Sequence, residues 1–454
     1  MNNVQPGSLE RTSAFPLSHN ILGAAVVYLV QGLGYATIMT SLPSFSSKWS
    51  LSEMTVSLVL LVTVLLAAVG SVVANAVAVR ASSRAAAVWG LSVEAAALFT
   101  VAIAPALSVF FGAVFVFGVG LGMVDAAQNM QGVRVEKRAG KALLGRFYAV
   151  ATAATICGAL LVSASIALHG SVFMALATVA VLDVVGALVA SRTLEVRDTV
   201  TGRPPAQGHT VGTLGAEVDG ASGVGSAATA EVATADVGAT GATGHGAIDR
   251  DKIRFAIYAA VAMIVFLAYV MDSSVSAWST MYMQEGLGAA ASIAPFAYAV
   301  YQGAVLFARL VTDALEQRIG LTMLAKISII VGALGSVVVA LVPAVWAAIL
   351  GFGLTGLAAG ALVPLAFSAA GNLLPGRSDE IIARVNLFNY FGALIGAVML
   401  GLIAQGRGLG LAFLIPGIGL LLALPLVRSL ARSPKSAGEP AHTAESAEAK
   451  PNHV

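Results

Sequence analysis

Residues Leu107–Arg146 read Leu-Ser-Val-Phe-Phe-Gly-Ala-Val-Phe-Val-Phe-Gly118-Val-Gly120-Leu-Gly122-Met-Val-Asp125-Ala-Ala-Gln128-Asn129-Met-Gln-Gly-Val-Arg134-Val-Glu-Lys137-Arg138-Ala-Gly-Lys141-Ala-Leu-Leu-Gly-Arg146. An apolar run from Ser108 to Val124 ends on an acid, a basic turn follows, and Arg146 opens a second apolar run. A carboxylate at the centre of a membrane helix costs about 2.5–3.5 kcal/mol on insertion scales, so an acid in such a run marks function. Asp125, Gln128 and Asn129 stand at i, i+3 and i+4 and share one helical face. Gly118, Gly120 and Gly122 before them let neighbouring helices approach closely. A polar face in hydrocarbon looks at protein or at a water-filled path.

Working outward, the 454-residue chain is 58% hydrophobic and 11% charged, with mean hydropathy +0.87. Soluble domains carry about 25% charged residues, so the composition is that of a polytopic membrane protein. One cysteine, Cys157, excludes an intrachain disulfide and reads as a small packing residue. The first apolar segment follows a polar stretch and exceeds the apolar core of a signal peptide, about 7–15 residues, so it is expected to remain as a span.

A helix crosses a core of about 30 Å with roughly 20 apolar residues. That measure predicts twelve spans: Ile21–Pro43, Met54–Val79, Ala85–Ala104, Leu107–Met130, Leu143–Leu168 and Ser171–Ala190, then Phe255–Trp278, Ala291–Leu315, Leu321–Val342, Val345–Asn372, Ile381–Ala404 and Leu409–Leu426. With a cytoplasmic amino terminus, all 25 Lys and Arg except Lys48 and Arg407 fall on the inner side. The positive-inside rule therefore supports twelve spans with both termini cytoplasmic. The predicted organisation is a tail over 1–20, a six-helix bundle over 21–191, a disordered cytoplasmic linker over 192–252, a second bundle over 253–428 and a disordered tail over 429–454. The linker reading rests on its Gly, Ala, Thr and Val with scattered acids and no apolar period.

Two turns repeat. Gly70 and Asn75 precede Arg80 and Arg84; Ala308, Arg309 and Asp313 precede Arg318 and Gly320. Superposed, Asp313 falls on Asn75 and Arg318 on Arg80, which suggests a duplicated bundle with its site near the midplane between the halves. These turns resemble the inner-turn motif of the major facilitator superfamily, roughly G-x-x-x-D-x-x-x-x-R-x-G. The second copy matches at Asp313, Arg318 and Gly320; in the first, Asn75 replaces the acid and Ser82 the late glycine. Within the superfamily, Gly120 through Asp125 to Asn129, Asp272 with Trp278, Gly353 to Pro364, and Tyr390-Phe-Gly392 resemble the fucose-permease-like branch.

The resemblance implies an all-α membrane protein of two pseudo-symmetric six-helix bundles, working as a secondary carrier by alternating access with helices 1, 4, 7 and 10 lining the cavity. It also implies that Asp125 is the proton-linked acid. Departures are Met39 in place of a second acid in helix 1, Tyr148 in place of a histidine in helix 5, and Ala397 in place of a helix 11 proline.

Read singly, Asp125 and Arg146 lie at similar depth from the inner edge of their helices, so a charge pair serving proton coupling is expected. Gating residues are expected at Gly70, Asn75, Arg80, Arg309, Asp313 and Arg318. Solute contacts are expected from Gln31, Tyr35, Gln128 and Asn129, from Asp272, Trp278, Tyr301 and Gln302, and from Asn386, Asn389 and Tyr390. Glu94 and Asp183 are expected to be hydrogen-bonded to each other or to a carbonyl. This polar set suits a small neutral polar, sugar-like solute taken up with protons. Proton/drug exchange is the alternative, and a transport-inactive sensor a second one.

Other chemistry finds no support. Gly140-Lys141 lacks the rest of a P-loop, no His, Cys and carboxylate cluster has metal spacing, and the basic residues are dispersed over turns. The expectation is no enzyme activity, no cofactor, no metal and no nucleic acid. The protein is predicted to be a multi-pass monomer of the plasma membrane, with the lipid bilayer, protons and a small solute as partners.

Overall fold

The computed structural model describes residues 16–140, 143–194, 244–371, 378–404 and 408–430. All regular elements there are helical. Helices α1 (Leu17–Trp49), α2 (Glu53–Arg80), α3 (Ser83–Ile103), α4 (Leu107–Ala139), α5 (Leu144–His169) and α6 (Phe173–Thr193) are followed by α7 (Gly244–Met281), α8 (Pro295–Ile319), α9 (Leu321–Leu341), α10 (Val345–Gly371) and α11 (Ser378–Ala404). A broken segment comes last among the described residues: α12 (Leu409–Ala412), α13 (Leu414–Leu422), a 3-10 turn at Leu424–Leu426 and α14 (Val427–Leu430).

Local chemistry sets the ends. The side chains of Ser52 and Ser82 accept from Thr55 N and Ala85 N and cap α2 and α3, while Gly140 and Gly170 end α4 and α5 in the left-handed region. Glu136 accepts from the backbone N–H of Leu143 and Leu144 at 2.7 and 2.8 Å, so a carboxylate of α4 caps the start of α5.

Several spans differ from the sequence expectation. Helix α1 passes through Pro43 to Trp49, and α4 continues about two and a half turns beyond Met130, to Ala139. Residues 244–252, expected as linker, begin α7; residues 195–243 and the tails 1–15 and 431–454 lie outside the described residues. The last span is not one helix, since Pro416 and Pro425 each remove a backbone donor there.

Among the described residues, 10 helices are long and apolar enough to cross a membrane. The two long helices outside that set are α8, which carries Arg309, Asp313, Glu316 and Arg318, and α11, whose described apolar part is Phe391–Ala404. Packing repeats at an offset of six. The pairs α1–α5, α2–α4, α3–α4 and α3–α6 recur as α7–α11, α8–α10, α9–α10 and α9–α13. The first six helices meet the later ones along α5–α8, α2–α11 and α1–α7. Glycine makes the tightest approaches: a Cβ on Gly122 of α4 would stand 1.7 Å from the Ala67 carbonyl oxygen of α2, and one on Gly120 would stand 2.7 Å from Glu94 Cγ of α3.

Candidate functional site

Three helices present polar stripes to one another. On α1, Tyr28, Gln31 and Tyr35 follow a helical period; α4 supplies Asp125, Gln128 and Asn129, and α5 supplies Tyr148, Thr152 and Thr155. At their centre Asp125 is 5% exposed. Gln31 and Gln128 each donate from Nε2 to Asp125 Oδ1, both at 3.0 Å. Those donations fix the amides, with Gln31 Nε2 also 3.5 Å from the Leu121 carbonyl oxygen. Gln31 Oε1, Gln128 Oε1 and Asp125 Oδ2 are buried and have no hydrogen-bond partner among the described residues. One turn below, Asn129 Oδ1 accepts from Tyr28 at 2.9 Å and from Tyr148 at 2.6 Å.

The stripes enclose a cavity of about 10 Å³, walled by Gln31, Tyr35, Asp125 and Gln128 and completed by Tyr148 and Thr155. A second cavity, about 20 Å³, lies on the other side of Tyr35 among Met39, Leu60, Val64, Leu121, Ala277 and Ala397. The first is polar and belongs to α1, α4 and α5; the second is chiefly apolar and takes walls from α1, α2, α4, α7 and α11. About 10–15 Å³ holds one water. The site is therefore closed around its polar centre, and any solute requires the helices to separate.

The expected Asp125–Arg146 pair is absent. Arg146 is exposed and stands two residues into α5, whereas Asp125 lies about fourteen residues, roughly 21 Å, from the end of α4. The helix running on to Ala139 moved the acid to mid-span, where its polar partners are neutral amides. Trp278 is fully buried and donates its indole N–H to the Ala397 carbonyl at 2.7 Å, so it pins α7 to α11 and does not face a solute here. Tyr301 donates its hydroxyl to Asp272, and Gln302 donates to the Tyr298 hydroxyl at 2.8 Å. These bonds use the α8 residues and Asp272 in helix contacts rather than at the cavity walls.

Of the inner-turn residues, Asn75, Arg80, Asp313 and Arg318 are exposed, and Gly70 lies against the Val119 carbonyl of α4. Arg309 reaches instead across to α5, donating to Thr152 Oγ1 at 3.1 Å, and its charge lies within electrostatic reach of Asp272. Asn389 is half-buried, while the side chains of Asn386 and Tyr390 lie outside the described ones. Glu94 and Asp183 are buried, and none of their carboxyl oxygens has a hydrogen-bond partner among the described residues, contrary to expectation. Cys157 is exposed on α5 rather than packed. Neither cavity is lined by α10, and α2, α5 and α11 contribute in its place.

Sequence reasoning passed over the α5 wall. Tyr148, Thr152 and Thr155 at i, i+4 and i+7 were the available signal, but Tyr148 entered only as a replacement for histidine. Among the described residues, no group of three or more His, Cys, Asp or Glu is placed to hold a metal ion.

The family model described as Major Facilitator Superfamily matches residues 24–353 and 261–452. The chain is 26% identical over 320 residues to an uncharacterized MFS-type transporter of Yersinia pestis, covering 70% of this chain and 72% of the relative. It is 27% identical over 162 residues to the membrane protein MosC of Rhizobium meliloti, covering 36% of this chain and 40% of MosC. Among solved structures it resembles the nucleoside transporter NupG, with a TM-score of 0.63 at 14% identity over 91% of this chain and 99% of that one. It also resembles a bacterial homolog of the human lysosomal transporter Spinster, inward-facing and occupied, with a TM-score of 0.63 at 13% identity over 93% and 98% of the two chains. At these identities the structural likeness speaks for the fold alone.

Proposed function

Because this chain belongs to the Major Facilitator Superfamily, we propose that it is a proton-coupled carrier that moves a small polar solute by alternating access, with Asp125 as the coupling group. The observation that carries this reading is the Asp125 carboxyl at mid-span, wrapped by Gln31 and Gln128 and facing a closed polar cavity. An acid at that depth is costly unless its protonation or its ligand does work. The repeat of packing at an offset of six supports two pseudo-symmetric bundles, 21–191 and 253–428, rocking about a site near the midplane. Twelve spans, both termini in the cytoplasm and residence in the plasma membrane belong to the same proposal. The face bearing Arg80, Arg84, Arg138, Arg192 and Arg318 supports that orientation. Kinship to the fucose-permease-like branch, suggested by Gly120 to Asn129, is part of the same proposal.

Symport of a neutral, sugar-like solute and exchange of protons for a cation differ in one respect: Asp125 meets the solute protonated in the first and ionised in the second. The neutral amide partners of Asp125 leave its charge uncompensated once the proton departs, so a cationic solute that replaces the proton, as in the second, fits this site. Solute-evoked proton movement in vesicles tests the proposal. Uptake with external alkalinisation means symport, proton release from acid-loaded vesicles means exchange, and silence across a broad solute panel overturns a coupled carrier.

A further inference from the structure

The cluster around Asp125 leaves three acceptors unpaired. Gln31 and Gln128 each donate from Nε2 to Asp125 Oδ1, inside the cluster. Three oxygens of the cluster are left over: Gln31 Oε1, Gln128 Oε1 and Asp125 Oδ2, all buried and without a hydrogen-bond partner among the described residues. Turning either amide over would set its carbonyl oxygen against the carboxylate, so this polarity is held by the cluster itself. An unpaired buried acceptor costs about 1–3 kcal/mol. Three on residues that line one cavity are matched by a group that carries several donors and no acceptor.

That description separates ligand classes. A hydroxyl brings an acceptor with each donor, and a carboxylate or phosphate brings only acceptors. A primary ammonium brings three donors and a positive charge. The charge is matched by Asp125, whose polar partners are otherwise neutral. Beyond the Tyr35 ring, the Met39, Leu60, Val64, Leu121, Ala277 and Ala397 surface offers the opposite chemistry, an apolar lodging that hydrogen-bonds poorly.

Resting on the carrier reading above, the geometry points to an amphipathic primary amine as the transported solute, its ammonium among Gln31, Asp125 and Gln128 and its apolar body past Tyr35. Proton and ammonium then occupy the same carboxyl in turn, which makes the transport cycle an exchange. Tyr35 divides head from body and sets how long the link between them must be.

The test is thermal unfolding of the purified full-length protein in lipid nanodiscs with four probes: 2-phenylethylammonium, 2-phenylethanol, ethylammonium and myo-inositol. A ligand that binds the folded state raises its melting temperature. Expected is a saturable rise with 2-phenylethylammonium, the same rise with ethylammonium only at tenfold or higher concentration, and none with the alcohol or inositol. Gln31→Leu and Gln128→Leu should each shift the midpoint concentration at least tenfold, and Leu60→Asn should weaken 2-phenylethylammonium while sparing ethylammonium. Equal stabilisation by inositol or 2-phenylethanol, or no response to either ammonium, overturns the amine assignment. The carrier reading then stands or falls separately on proton movement in vesicles.

Discussion

Arg309 of α8 donates to the hydroxyl of Thr152 in α5 across 3.1 Å, and that hydroxyl in turn lies 3.0 Å from the Tyr148 carbonyl oxygen. One guanidinium thus ties a later helix to the helix whose Tyr148 walls the polar cavity. A hydrogen bond to a charged group contributes about 1.5–3 kcal/mol, enough to shift a balance between open and closed forms by tenfold or more. Thr152→Val keeps the shape and removes the acceptor. In a Cys157→Ser background with Ala151→Cys as the reporter, maleimide labelling should speed up several-fold when Thr152→Val is added. An unchanged rate would mean that the bond does not hold the site closed.

Asp125→Asn keeps an acceptor for Gln31 and Gln128 but can neither take up nor release a proton. Accumulation driven by a pH gradient should disappear, whereas solute exchange across vesicles without a gradient should persist if the solute is neutral. For an ammonium-bearing solute, both should fall at least tenfold, since the counter-charge is lost with the proton site. Normal gradient-driven accumulation in the variant would remove Asp125 from the mechanism.

Much of this architecture is legible in the sequence because hydrocarbon imposes simple rules. Length and apolarity marked the spans, and the spacing of Asp125, Gln128 and Asn129 announced a polar face that the structure brings against Gln31. Depth was less legible. Arg134, Lys137 and Arg138 read as the end of a helix that in fact runs on to Ala139, and that error created the expected Asp125–Arg146 pair. Side-chain partners were not legible at all. Whether Trp278 offers its ring to a solute or its N–H to Ala397 depends on where α11 packs, which no local pattern encodes.

The close contact of α2 with α4 gives a packing prediction. A methyl on Gly122 would meet the Ala67 carbonyl, whereas one on Gly112 meets nothing within 4 Å. Overpacking costs about 1–3 kcal/mol when backbone must move. Gly122→Ala should therefore lower the melting temperature by several degrees while Gly112→Ala leaves it unchanged, as followed by size-exclusion after heating. Equal behaviour of the two would show that α2 yields freely.

The interval between α6 and α7 is proposed to act as a passive tether. Deleting residues 200–240, which stops short of the α7 start at Gly244, should leave membrane insertion and transport within about twofold of the parent. Loss of transport with normal insertion would assign the interval a role.

Glu94 and Asp183 pose the opposite question to Asp125, being buried acids that line neither of the two cavities. Gly186 of α6 faces Leu91 of α3, and one turn from that contact along each helix brings Asp183 and Glu94 to the same level. Their carboxyl oxygens receive no donor from the described residues. Removing a hydrogen-bonded buried acid strands its partner and typically costs about 1–3 kcal/mol, but removing one that accepts nothing strands no donor. Glu94→Leu and the double variant with Asp183→Leu should thus unfold at or above the parent temperature. If transport also survives, the pair is a tolerated remnant of packing between α3 and α6. If the variants are stable but transport collapses, the acids serve the transport cycle through Asp125, which lies within electrostatic reach of Glu94. A marked loss of stability would reveal a hydrogen bond between the two acids that forms in a conformation other than this one.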